Sequence, residues 1–211
     1  MKQAFILCIL ALVLAQLPAN EMDVAGFLGI NGNTFYGESG NKDHIQPAVN
    51  FHIGSMIQTE TVDNMILGSE LLYIQKGANF KYESNNGVDE YLHHDILRYL
   101  QLGILGKVSY PVEMIELQPC VGMHLAYLIS AARKWDKALD YEDSDFTKSC
   151  QKLDLGLSLG SDAIINNSFL VGARLEGGIL RIYDPDLGGN KSRNLNFRIY
   201  LGYLFPVELN Y

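Results

Sequence analysis

The sequence predicts an all-β chain closed as an eight-stranded antiparallel up-and-down transmembrane β-barrel. Three observations predict it: eight segments alternate apolar and polar residues, their connections alternate short and long, and the charges sit on the polar faces. The stretch "KLDLGLSLGSDA", Lys152 to Ala163, shows the first most plainly. Leu153, Leu155, Leu157 and Leu159 alternate with Asp154, Gly156, Ser158 and Gly160. Successive side chains of a strand point to opposite faces, so one face of this segment is all leucine. In a soluble sheet that face would pack on a core. In an outer-membrane barrel it meets lipid, and the polar face fills the lumen.

Taken in order, each of the eight segments repeats the pattern with period two. The first, Ala25 to Tyr36, offers Leu28 and Ile30 against Gly29, Asn31 and Asn33. The second, "AVNFHIGSMI", sets Val49, Phe51 and Ile53 against Asn50, His52 and Gly54. The third, "NMILGSELLYIQKGA", sets Met65, Leu67, Leu71 and Tyr73 against Gly68, Glu70 and Lys76, and Ile66, Leu72 and Ile74 blur its second face. The fourth sets Leu100, Leu102, Ile104, Val108 and Tyr110 against Gln101, Gly103 and Lys107. The fifth sets Leu117, Val121, Met123, Leu125 and Tyr127 against Gln118, Cys120, Gly122, His124 and Ala126. The leucine segment is the sixth. The seventh sets Val171, Ala173, Leu175 and Ile179 against Gly172, Arg174, Glu176 and Gly178. The eighth sets Leu195, Phe197, Ile199, Leu201, Tyr203 and Phe205 against Asn194, Asn196, Arg198, Tyr200 and Gly202.

The connections sort by length. "QTETVD", "PVEM" and "INN" after segments two, four and six are short; the four after segments one, three, five and seven are long and polar. Outer-membrane barrels show this arrangement, with short periplasmic turns and long extracellular loops. A soluble meander has no reason to sort its loops so. An even strand count places both termini on the short-turn side.

The polar faces carry His52, Glu70, Lys107, His124, Asp154, Arg174, Glu176 and Arg198. Packing them in a soluble core leaves buried charges to be matched at several kcal/mol each, while the leucine faces meet water. The inverse arrangement gives the aliphatics to lipid and lets acids and bases pair inside. Ring closure also satisfies every backbone hydrogen bond, which a bilayer requires. Aromatics near the segment ends, such as Tyr73, Tyr110, Tyr127, Tyr203 and Phe205, suit the interfacial girdles of such barrels.

Composition bounds the rest. The first residues, "MKQAFILCILALVLAQLPAN", have a basic head, an apolar run and small residues at two cleavage positions, after Ala15 or after Ala19. They predict a signal peptide over residues 1–19 and a barrel domain over 20–211. The apolar run is shorter than the roughly 20 residues a transmembrane helix needs. The net charge of −8 grows more negative once Lys2 is lost, which disfavours nucleic acid as a partner. Export permits a disulfide, but Cys120 and Cys150 fall near opposite ends of the predicted barrel, beyond the short reach a bridge demands.

Several motifs taken together resemble the outer-membrane β-barrel family that includes PorT-like and "porin family" proteins, common in Bacteroidota. "LGSELLYIQKGA" is similar to that family's "pEllYsqkG" third strand, "VGMHLAYLISA" to its "GpylgyLls" fifth and "KLDLGLSLGSDA" to its "fDfGlvlGaG" sixth. "NLNFRIYLGYLF" resembles the closing "lslsvGYrF", and "AGFLGINGNTF" and "FHIGSMIQ" resemble strands one and two. Two departures stand out. Gly103 occupies a position where the family often has proline, and "PVELNY" extends past Phe205, so either Phe205 or Tyr211 could present the aromatic carboxy-terminal assembly signal. The resemblance implies a bacterial outer-membrane barrel surrounded by lipid and lipopolysaccharide and inserted by the barrel-assembly machinery. It supplies no activity, and the expectation from the residues themselves is a non-enzymatic chain with no cofactor.

Eight strands enclose an interior that side chains fill, so the lumen charges read first as a structural network and second as a conducting or proton-linked path. The acidic loop "DKALDYEDSDF" offers Asp140, Glu142, Asp143 and Asp145 as a solvated or divalent-bridged patch, or as a ligand-binding surface. "YDPDLGGN" offers Asp184, Asp186 and Asn190, which read as a plain turn before a calcium loop, since such loops need more oxygen ligands. "EYLHHDILR" places His93, His94 and Asp95 near the outer rim, where an acid–base pair is conceivable although no nucleophile flanks it. The expected role is non-enzymatic and structural or surface-binding, through the long loops, with a protein partner at those loops or at the periplasmic rim. A narrow porin-like channel and a component of a secretion or assembly complex are the alternatives.

Overall fold

A computed structural model describes residues 21–37, 45–62, 64–83, 90–135, 143–183 and 191–208. Eight long strands carry the fold: β1 (Glu21–Tyr36), β2 (Ile45–Val62), β3 (Met65–Glu83), β4 (Glu90–Val108), β6 (Ile115–Trp135), β8 (Leu153–Ile165), β9 (Phe169–Gly178) and β10 (Arg193–Glu208). Two short ones, β5 (Tyr110–Val112) and β7 (Ser144–Asp145), pair along β6. All pairings are antiparallel. The ring runs β1, β2, β3, β4, β6, β8, β9, β10 and closes where β10 pairs with β1 from Glu21↔Glu208 to Tyr36↔Arg193. Closure leaves no edge strand for lipid to meet.

The polarity is inside-out, as the alternation requires. Leu157 is 59% exposed and Phe197 47%, whereas Arg174 is 0% and Asp154 4% exposed. Leu155 also faces outward. The blurred third segment resolves in the same frame: Ile66, Leu72 and Ile74 point into the ring beside Glu70 and Lys76. Two apolar clusters thus share the interior with the charges. One, toward the long-loop end, joins Phe35, Ile74, Leu97, Tyr99 and Leu128 to Cys150 and Ile182. The other, toward the turns, holds Phe27, Met56, Leu72, Ile164, Leu170 and Leu204.

The turns are tight and built for it. Asn166 and Asn167 have φ of 50° and 57°, and Ser168 N donates to Ile165 O at 3.2 Å. Two consecutive positive φ values define the hairpin turn whose twist matches the flanking strands, and asparagine tolerates them. Asn64 (φ 67°) and Glu113 (φ 55°) serve the other two turns.

The sequence pattern underestimates the strands at the opposite end. β3 and β4 each have 19 residues and β6 has 21, so "NFKYE", "EYLHH" and "SAARKW", expected in loops, are strand. A membrane barrel strand needs only about 9–11 residues to span. Above the bilayer the outer face meets water while the inner face packs apolar residues such as Ala78, Leu97 and Ala131, so the contrast that marks a strand within the membrane fades there. A bulge where Arg98 and Tyr99 oppose Ser130 and Leu128 shifts the β4–β6 register at that height.

Candidate functional site

Every one of the eight ring strands contributes polar side chains to the interior, because the residues two apart along each strand share one face. The densest part centres on Asp162 of β8. Its carboxylate accepts two hydrogen bonds from Arg174, Nη1 at 2.9 Å and Nη2 at 2.8 Å, and Lys107 Nζ lies 2.8 Å away. The Tyr200 hydroxyl donates to the same carboxylate. Lys107 Nζ also donates to Gln58 Oε1 at 2.7 Å and Gln118 Oε1 at 3.3 Å. Arg174 reaches Glu70 at 3.4 Å, and Glu70 in turn accepts from Arg198. Arg198 Nε donates to Glu176 at 3.0 Å, and Glu176 further accepts from Gln101 at 3.0 Å and Asn196 at 2.9 Å. Nearer the long-loop end Lys76 pairs with Asp154 at 3.3 Å, which also accepts from Asn194 at 2.9 Å.

Each of these cations therefore touches at least one carboxylate, and all are buried. Such matching is what makes buried charge tolerable: pairing and hydrogen bonds offset desolvation, and loss of one partner strands the other. Tyr200 ties the arrangement together, with Arg174 and Arg198 at 5.5 Å and 5.2 Å from its ring centroid. Gly172, its cross-strand neighbour, makes the room: a Cβ there would stand 2.1 Å from the ring's Cζ, and the ring is anchored by its hydroxyl.

All eight residues expected on the inner faces, His52, Glu70, Lys107, His124, Asp154, Arg174, Glu176 and Arg198, are buried inside the ring. His52 Nδ1 faces Asn31 Oδ1 at 3.1 Å and His124 Nδ1 faces Ser158 Oγ at 3.2 Å. Lys76, set on the polar face of the third segment, joins them. Asp162, the hub, was not expected there, although it continues the face of Asp154, Gly156, Ser158 and Gly160.

At the mouth the motif "HHD" splits, as neighbours on a strand must. His93 and Asp95 point inward and His94 outward. Asp95 binds Arg133 through two hydrogen bonds of 2.7 and 2.8 Å and accepts from the Tyr183 hydroxyl at 3.1 Å. His93 stacks on Phe80, centroids 4.7 Å apart, and packs on Trp135 at 4.9 Å. Cys150 bridges to Tyr183 across the rim and Gln151 N donates to Ile182 O at 2.8 Å, so chain from two loops knits over this end. Burial pushes the Cys150 thiol up to about 12. Cys120 and Cys150 are both free and buried. Asp95 is thus held in an ion pair under an aromatic lid.

Of the acidic loop, Asp143 and Asp145 are exposed, and Asp145 is hydrogen-bonded by the Thr147 side chain and by Thr147 N at 2.8 Å, which together keep its carboxyl below the usual range. Asp140, Glu142, Asp184, Asp186 and Asn190 lie outside the described residues, as does the expected signal peptide. Among the described residues no group of three or more His, Cys, Asp or Glu side chains could hold a metal ion.

A closed antiparallel ring, aliphatic outside and ion-paired inside, with short turns at one end, defines an integral outer-membrane β-barrel. The chain belongs to the family described as the outer membrane protein beta-barrel domain, which it matches over residues 14–184. Solved structures with a similar fold include the attachment invasion locus protein Ail of Yersinia pestis, at 12% identity over 89% of this chain and 99% of that one, TM-score 0.42. Neisserial surface protein A shows 12% identity over 86% and 97%, TM-score 0.49. The outer membrane protein OprG of Pseudomonas aeruginosa shows 13% identity over 89% and 96%, TM-score 0.44. No curated protein matches the sequence.

Proposed function

We propose that this protein is a non-enzymatic surface-binding barrel of the bacterial outer membrane, exported by its amino-terminal signal peptide, which contacts its partner through the long loops. The observation that carries the reading is the lumen. Ion pairs from Glu70, Lys107, Asp162, Arg174, Glu176 and Arg198 occupy its centre, with an apolar cluster toward each end. An interior filled in this way supports a barrel that displays its loops rather than one that conducts. The tall hairpin of β3 and β4 and the 21 residues of β6 raise those loops well beyond the bilayer, which supports the same reading.

The test replaces residues 38–44, 84–89, 136–142 and 184–190 with short glycine–serine linkers, leaving β6, β7 and the Cys150 contact intact. Purified barrels, intact and trimmed, are used to capture proteins from envelope and extracellular fractions. A protein retained by the intact barrel and lost by the trimmed one, with heat-shifted migration on gels preserved in both, is the expected result. Capture that survives removal of every long loop would overturn the reading.

A further inference from the structure

Past Gly178 the chain leaves the ring and crosses its outer mouth. β9 stops at Gly178 while β4 and β6 climb on to Glu90 and Trp135, so one side of the wall is low and the other tall. Residues 179–183 cross from the low side. Ile179 N donates to Leu155 O at 2.6 Å, Ile182 N to Ser192 O at 2.9 Å, and Gln151 N to Ile182 O at 2.8 Å. Tyr183 meets Cys150 in an isolated bridge. These are single bonds, where the ring strands have continuous ladders. The wedge is Ile182, 3% exposed and packed with Cys150 into the apolar cluster of Phe35, Ile74, Leu97, Tyr99 and Leu128.

Among the described residues, one side-chain hydrogen bond ties this segment to the tall wall. Asp95 of β4 binds Arg133 of β6 through both carboxylate oxygens and accepts the Tyr183 hydroxyl on Oδ2 at 3.1 Å. Arg133 also lies over the Phe146 ring, 5.3 Å from its centroid, and Phe146 stacks with Tyr183 at 6.4 Å. The neighbouring segment has its own fastening to β6: Ala131 N donates to Thr147 Oγ1 at 2.7 Å, Phe146 N to Ala131 O at 3.1 Å and Leu128 N to Lys152 O at 2.8 Å. Residues 146–152 therefore stay in place whether or not Tyr183 does. At the root of residues 179–183 stand Gly177 and Gly178. A Cβ on Gly177 would meet nothing nearer than the Tyr36 hydroxyl at 4.0 Å, so what this glycine supplies is backbone freedom rather than room.

We propose that residues 179–183 form a strap that opens and shuts the outer mouth, hinged at Gly177 and Gly178, wedged by Ile182 and latched by the Tyr183 hydroxyl on Asp95. Shut, the strap seals the apolar cluster and helps to bury Cys150. Open, it withdraws Ile182 and bares an apolar cup. The ion pairs further down the lumen keep their own partners, so the cup is a dead end and no pore forms. Isolated hydrogen bonds, a single buried wedge and a flexible root are what the least stable units of a fold share, and such units are the ones that move. The strap goes beyond partner binding by the loops, and neither its motion nor its readout requires a partner.

The two free, buried cysteines report the motion, since Cys150 lies against the strap and Cys120 on the inner face toward the turns, opposite Lys107. The folded full-length barrel in detergent is treated with N-ethylmaleimide, and alkylation of each thiol is followed by peptide mass spectrometry. Labelling through a transient opening follows the population of the open form. Tyr183→Phe removes the latch hydroxyl and Asp95→Asn the charge it binds. Each is expected to speed Cys150 labelling about tenfold, the effect of losing a hydrogen bond to a charged group, with the Cys120 rate unchanged. Gly177→Ala restricts the open strap and is expected to slow Cys150 labelling about two- to fivefold. If Asp95→Asn does not give a heat-shifted band, Tyr183→Phe, which keeps the Asp95 and Arg133 pair, carries the test. Three results each overturn the proposal: a Cys150 rate unchanged in Tyr183→Phe, a Cys120 rate that rises in step with it, or no slowing in Gly177→Ala.

Discussion

Asp162 shows how much of this barrel rests on single side chains. It holds Lys107 and Arg174 and accepts from Tyr200, all in the interior. Asp162→Ala therefore leaves two buried cations short of their anion, a change worth about 3–5 kcal/mol. The urea midpoint of the folded barrel, read by loss of its heat-shifted band, is expected to fall accordingly. Asp162→Asn with Lys107→Met removes both charges of one pair and is expected to recover part of the loss. A midpoint like wild type for Asp162→Ala would show that water replaces the carboxylate without cost. The sequence reading passed over this residue, although its spacing from Asp154 puts it on the inner face. What it could not supply was the hub, since the partners come from β4, β9 and β10.

At the scale of the element, strands and turns obey different rules, and their legibility differed for that reason. Within the bilayer, lipid and lumen impose opposite demands on alternate residues, and the pattern is plain in "KLDLGLSLG". Beyond it the contrast disappears, so Asn79, Phe80 and Lys81 read as loop although they continue β3. The turns carry a sharper prediction. Glu113 sits at φ 55°, where a side chain is strained, in the hairpin closed by Val112↔Ile115. Glu113→Gly is expected to stabilise the barrel by up to about 1 kcal/mol. Asn167→Ile, at φ 57°, is expected to cost about 1–2 kcal/mol because a β-branched residue disfavours that conformation. Equal midpoints for both variants in the same urea experiment would show that these turns relax freely.

For the molecule as a whole, the decisive property is that the interior is matched charge against charge while the exterior is graded by depth. Ion pairs across the lumen join strands far apart in sequence, such as Glu70 with Arg198 and Arg174. They hold the cross-section closed, so planar-bilayer recording of the reconstituted barrel is expected to show no discrete openings. Steady unitary currents that vanish on disrupting the Arg198 and Glu176 pair would instead favour the channel reading. The same graded exterior places apolar rows in the bilayer, tyrosines at its border and Arg98 above them.

The sequence alone determined the class, because a two-residue period with charges on one face has only one inexpensive solution once the other face is all aliphatic. It also determined the orientation of the ends, through connections that alternate short and long. Only the tertiary structure decided which charges meet, because pairing depends on register and closure between distant strands. It likewise decided how far the strands rise past the bilayer, where water outside and apolar packing inside remove the signal that sequence periodicity carries.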